Sequence, residues 1–147
     1  MVLADDANGG RLRRRFAGAV VAAVTLLILV VAAWLNPSTD GHGTHTQLGL
    51  APCSWAVTWN QPCATCGMTT SFAHAADGKL GASASVQPFG MLLALGSSVA
   101  FWGGCHIAVA GNRLGVVWMA MLRPRVVIAG VLLFALAWLY KILTWQG

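Results

Sequence analysis

Three long apolar stretches limit what this chain can fold into more than anything else in it. Residues 16–35 (FAGAVVAAVTLLILVVAAWL) carry no charge. Residues 88–110 (PFGMLLALGSSVAFWGGCHIAVA) carry one histidine. Residues 126–143 (VVIAGVLLFALAWLYKIL) carry only Lys141, near their end, and Thr144 and Trp145 extend them into an interface. A helix that crosses the hydrocarbon core needs about 20 apolar residues. The expected fold is therefore an all-α membrane protein with transmembrane helices at 16–35, 88–110 and 126–145. Charged residues make up 9% of the chain, against about 25% in an ordinary soluble domain. A mean hydropathy of +0.69 points the same way.

The basic residues orient the spans. Arg11, Arg13, Arg14 and Arg15 precede the first, and Arg113, Arg123 and Arg125 lie between the second and third. Only Lys79 and Lys141 remain for the other side. The positive-inside rule then puts residues 1–15 and 111–125 in the cytoplasm, with 36–87 and the C-terminus outward. Trp34 and Trp145 fall at the two outward span ends, as an interfacial aromatic belt requires. The sequence pI near 9.6 is explained by this topogenic charge and needs no nucleic-acid partner. The first span reads as a retained anchor, because a signal-peptide apolar core runs about 7–15 residues.

Residues 1–10 read as a short frayed segment. Residues 36–51, with Pro37, Gly41, His42, Gly43, His45 and Gly49, read as an irregular loop. Residues 52–61 are apolar and aromatic, which suits a short helix or an interfacial segment with Trp55 and Trp59. Thr65 or Cys66 is expected to cap a helix running to about Asp77, stopped by Gly78. Its apolar face would be Met68, Phe72, Ala75 and Ala76. Residues 78–87 read as a small-residue connector into Pro88, and 112–122 as a cytoplasmic interfacial segment anchored by Trp118. Gly96, Ala100, Gly104 and Ala108 recur every four residues in the second span, a spacing that lets helix backbones approach closely in lipid. The partner is either the first span, with Gly18, Ala22 and Ala23, or another subunit.

Chemistry concentrates in three cysteines of the long outward segment: Cys53 and the pair Cys63-Ala64-Thr65-Cys66. Cys105 lies about 9 Å from the centre of the second span towards the cytoplasm. A disulfide needs Cα atoms within about 7 Å, so Cys105 is not expected to join the others. Three readings compete for the trio. One is a structural disulfide from Cys53 to Cys63 or Cys66, which an oxidising compartment permits. The second is a redox-active Cys63–Cys66 pair, with Cys66 acidified at a helix N-terminus and Cys53 as resolving thiol. The third is a metal site using the three thiolates plus a histidine, with zinc as the natural ion for thiolates. His74 would be about 12 Å from Cys66 along a helix, too far to share an ion, and nothing in the sequence fixes His42 or His45. His106, an ionisable group inside a span, is either functional or simply hydrogen-bonded. No glutamate is present and no span holds a carboxylate, which argues against soluble-type catalysis and proton coupling.

Cys53, the run Pro62-Cys63-x-x-Cys66-Gly67-Met68-Thr69, Phe72, Gly78 and Pro88 opening a span together resemble the small bacterial membrane proteins of domain-of-unknown-function family 2752. That family's signature is similar to Cys-Pro-x-Cys-Gly-x-Thr-Arg between membrane helices. Ala64 stands here where the family has Pro, and Thr70 where it has Arg. The resemblance covers about residues 48–110. It implies a multi-pass protein of the bacterial inner membrane, singles out Cys53, Cys63 and Cys66, and implies no activity. The leading expectation is a non-catalytic accessory subunit in contact with lipid and other membrane subunits, with Gly96, Ala100 and Gly104 as its packing face. The alternatives are a thiol–disulfide oxidoreductase with a quinone acceptor and a metal-binding protein.

Overall fold

The computed structural model describes residues 2–112 and 123–145, with side chains from residue 9 onward. The expected interfacial segment around Trp118 lies outside the described residues. Every regular element among them is helical: α1 Val2–Trp34, α2 Ser54–Trp59, α3 Met68–Ala76, α4 Leu80–Val86, α5 Pro88–Ala110 and α6 Pro124–Leu143, with a 3₁₀ turn at Thr44–Leu48. Three segments are long and apolar enough to cross a membrane: Gly9–Trp34, Pro88–Ala110 and Pro124–Leu143.

Helix α1 starts well before the expected span and absorbs the segment read as frayed. Helix α5 begins at Pro88, where proline costs nothing because its missing N–H has no partner to lose. The Gln87 side chain accepts from Phe89 N at 3.3 Å and completes the cap.

The α1–α5 pair is the spine of the molecule. A Cβ placed at Gly18 would lie 2.7 Å from Ala108 N and 2.8 Å from Gly104 O. One placed at Gly104 would lie 2.8 Å from Ala22 N and 2.9 Å from Gly18 O. The backbones therefore touch, as small residues at helix interfaces permit. Ala100 is buried, whereas a Cβ at Gly96 meets nothing within 4 Å. At this end Arg14 Nε donates to Gly111 O at 3.0 Å and Arg15 Nε to Ala108 O at 2.9 Å. The last carbonyls of α5 have no intrahelical donors, so two of the arginines read as topogenic also cap this helix. His106 Nδ1 lies 3.0 Å from the Asn112 side-chain amide, a local hydrogen bond at the same end.

At the opposite end, α2, the 3₁₀ turn, α3 and α4 form a small head. Two expectations are corrected here. The stretch read as a connector contains α4, a helix fixed by tertiary contacts rather than by apolar periodicity. Ser83, fully buried, donates to Ser71 O at 2.7 Å, and Ser71 Oγ lies 3.0 Å from both the Ser83 and Gln87 carbonyl oxygens. The inner face of α3 is also not the apolar set. It is Thr70, Ser71 and Ala73, while Ala76 is exposed. Met68 and Phe72 instead line an apolar groove of about 380 Å³ with Leu27, Val31 and Leu35 of the α1 region. Small hydroxyl residues win the inner face because α3 crosses close over α5: a Cβ at Gly90 would lie 2.9 Å from Ser71 Cβ.

Helix α6 reaches the rest of the protein only through its C-terminal half among the described contacts. Phe134 stacks edge-on against Phe89 at 5.3 Å. Trp138 Nε1 donates to Pro62 O at 3.2 Å, Tyr140 Oη to Ser85 O at 2.9 Å, and Trp145 Nε1 to Asn60 O at 3.1 Å.

Candidate metal centre

The backbone brings the cysteines together in two steps. Cys53 caps α2, and its carbonyl accepts from Val57 N at 3.1 Å. Asn60, at φ 51, then turns the chain back, and Trp138 of α6 and Trp145 just beyond it hold Pro62 and Asn60 by their carbonyls. From Cys63 the chain makes consecutive tight turns, Cys66 N to Cys63 O at 3.0 Å and Met68 N to Thr65 O at 3.1 Å. Gly67 ends them at φ 83 and starts α3. The helix cap is thus Gly67, not Thr65 or Cys66, because only a left-handed residue can swing the turn into the helix axis at that point.

The outcome is a cluster. The Sγ atoms of Cys53, Cys63 and Cys66 all lie within 4.8 Å of one another. None is in a disulfide. Cys66 is buried and the other two are half-buried. They line a cavity of about 240 Å³ together with Gly43, His45, Thr65, Thr69 and Thr70. Thr65 Oγ1 lies 3.5 Å from Cys63 Sγ. Cys105, on the far half of α5, and His74, in the last turn of α3, are not part of the cluster. Tetrahedral coordination at a Zn–S distance of about 2.3 Å places sulfurs about 3.8 Å apart. The observed spacing needs only side-chain adjustment to reach that.

Cys53 and Cys66 differ in acidity, and not as helix position suggests. Burial pushes Cys66 up to about 11, reinforced by the charges that Cys63 and Cys53 carry when ionised, and opposed by Lys141. The expected acidification of Cys66 is therefore overturned: desolvation outweighs any benefit of the adjacent helix end. Burial also opposes ionisation of Cys53. There, donors outweigh it, namely the Ala56 and Trp55 amides of the first α2 turn and the Cys63 thiol and amide, and its pKa falls below the ordinary value. In metal-free protein, Cys53 should be alkylated many-fold faster than Cys66 at pH 8, where roughly one Cys66 in a thousand is ionised. Mass spectrometry of the time course checks this, and equal rates would refute it.

Several residues that build the site were not singled out from the sequence. Lys141 is buried in the head, and its Nζ donates to Gly41 O at 3.2 Å. It also sits 5.7 Å from the Trp145 ring. Thr44 and Thr70, both fully buried, share a 2.8 Å hydrogen bond that pins the 3₁₀ turn to α3. Thr70 is the residue standing where the resembling family has Arg. A signal for α6 was present: Trp138, Lys141 and Trp145 follow i, i+3, i+7 spacing, one polar-tipped face on an otherwise apolar span.

The three cysteines sit within one recognisable segment. Residues 53–101 match the family model described as "Protein of unknown function (DUF2752)". The match starts at the first cysteine of the cluster and ends within α5, so it takes in all three sulfurs, α2, α3 and α4. It covers a third of the chain and supports the family resemblance there. No curated protein and no solved structure matches the chain.

Proposed function

We propose that this chain is a small membrane accessory protein that holds a thiophilic metal ion in its head through Cys53, Cys63 and Cys66. The convergence of three free sulfurs within 4.8 Å carries this reading. Soft thiolate sets suit Zn²⁺ and Cu⁺ rather than the hard cations, which prefer oxygen. The Lys141 ammonium beside the cluster offsets part of the thiolate charge. The separation of basic and thiol ends supports placing the head outward, because the arginines cluster at the other end. The accessory role is favoured by α6, whose residues Val126–Val131 are exposed apart from half-buried Gly130 and leave room for a neighbour in the membrane.

Metal analysis of the full chain, purified in mild detergent under reducing conditions, should find about one equivalent of zinc or copper. Cys63→Ser should reduce this to trace levels, while Cys105→Ser keeps it. Absence of metal from wild-type protein, with no uptake on titration, refutes the metal reading.

A second reading has its own observation. Thr69 lines both the thiol cavity and the apolar groove between α1 and α3. A thiol pair could there pass two electrons and two protons to a quinone, becoming a disulfide as the quinone becomes a quinol. Cys53 and Cys63, rather than Cys63 and Cys66, are then the favoured pair, because its donors make Cys53 easier to ionise than an ordinary thiol and burial makes Cys66 resist ionisation. A metal-free protein with a reversible couple well above about −300 mV would support this reading.

A further inference from the structure

The three sulfurs leave one coordination position to be filled. Four histidines are available in the chain, and the structure separates them. His42 stacks on Trp145 at a centroid distance of 4.7 Å, with Nδ1 2.9 Å from Asp40 O. His74 is at the far end of α3 from the cysteines. His106 is engaged with Asn112 at the basic end. Of the four, His45 alone lines the thiol cavity; its ring stands outside the tight cluster of the three sulfurs and must swing inward to reach an ion held there.

Its hydrogen bond also sets its chemistry. His45 Nε2 lies 3.1 Å from the Ala51 carbonyl oxygen. A carbonyl only accepts, so Nε2 carries the proton and Nδ1 keeps a lone pair in the neutral ring. Histidines that bind metals commonly donate their other N–H to a backbone carbonyl in this way. Ala51 stands two residues before Cys53, so the group that orients the ring belongs to the same short segment as one of the thiolates. The Thr44–Thr70 bond fixes the turn that carries His45 against α3. Gly43 and Gly49, at φ 83 and 75, bracket this turn and let it draw inward.

Resting on the thiolate reading above, we propose that His45 completes the site through Nδ1, making a tetrahedral three-sulfur, one-nitrogen centre for Zn²⁺. A divalent ion with three thiolates and a neutral imidazole carries one net negative charge. Lys141 is placed to balance it: its Nζ would be 3.3 Å from a Cβ on Gly67, the residue next to Cys66. Burial of a charged site is tolerable only with such a partner.

The test uses the full chain in detergent micelles and Zn²⁺ alone, with a competing chelator. His45→Ala should weaken Zn²⁺ binding by about tenfold or more, His45→Cys should restore it, and His42→Ala should leave it unchanged. In the Co²⁺ form, His45→Ala should keep the thiolate charge-transfer bands and shift the d–d bands. Zinc X-ray absorption on wild-type protein needs no variant, and should give three sulfurs plus imidazole outer-shell scattering. Three sulfurs without imidazole, or His45→Ala with unchanged affinity and Co²⁺ spectrum, overturns the role of His45 and leaves the thiolate site standing. Wild-type protein that takes up no Zn²⁺ overturns both.

Discussion

Gly104→Leu should separate α1 from α5 and strongly destabilise the protein. What surrounds the missing side chain leaves no room for one. A Cβ at Gly104 would meet Ala22 N at 2.8 Å, Gly18 O at 2.9 Å and Ala22 Cα at 3.2 Å. All three are backbone atoms of α1, so no rotamer change relieves the clash and the helices must move apart. Overpacking a tight interface costs about 1–3 kcal/mol where side chains can adjust. Here the cost should reach the upper end of that range or exceed it. Separation would also pull the α5 C-terminus away from Arg14 and Arg15, uncapping its last carbonyls. Gly96→Leu is the matched control, since the Cβ position at Gly96 is open. It adds the same side chain to the same helix, eight residues earlier. Thermal unfolding in detergent should show a large fall in midpoint for Gly104→Leu and little change for Gly96→Leu. Equal behaviour of the two would mean that the close α1–α5 contact is not what holds the spans together.

What could be read from the sequence divides along physical lines. The spans were legible because spanning length and lack of charge are local properties, and α5 begins at the proline expected to open it. The cysteine trio was legible as a set, since Cys105 could be excluded by distance along a helix. The acidity difference between Cys53 and Cys66 was not, because burial of Cys66 depends on contacts made by residues far away in the chain. Helix α4 was missed for a similar reason. Its stretch GKLGASASV has no apolar period, and it is held by Ser83 reaching across to Ser71. Lys141 shows the limit most clearly. Its partner, Gly41 O, is 100 residues away, and no periodicity within α6 could have identified it. The i, i+3, i+7 spacing of Trp138, Lys141 and Trp145 did announce a polar face, without saying what that face would touch.

Gly67 joins the fold to the site, and Gly67→Ala should damage both. At φ 83 its backbone is in the left-handed region, which costs a residue bearing a Cβ about 1–2 kcal/mol. Space is also lacking. A Cβ there would lie 2.7 Å from Gly41 O, 3.1 Å from Val86 Cγ1 and 3.3 Å from Lys141 Nζ. Gly41 O is the carbonyl that receives the Lys141 ammonium, so the added methyl pushes directly on that hydrogen bond. Relief requires the 36–43 segment to move off or α3 to tilt. Moving the segment frees a buried ammonium from its acceptor. Tilting α3 shifts Cys66, the residue before the glycine, away from Cys53 and Cys63. This also explains in physical terms why a glycine directly follows the second cysteine of the motif: the turn that presents Cys66 must change hand in the space of one residue, against the carbonyl of Gly41. Gly67→Ala should therefore lower the unfolding midpoint and weaken metal uptake together. Gly78→Ala separates the two effects, since Gly78 is also left-handed, at φ 74, yet has nothing within 4 Å of its Cβ position. That variant should lose about 1 kcal/mol of stability from backbone strain alone and keep its full complement of metal. If Gly67→Ala binds metal as well as Gly78→Ala does, the approach of Gly41 to Gly67 is not what positions the thiolates.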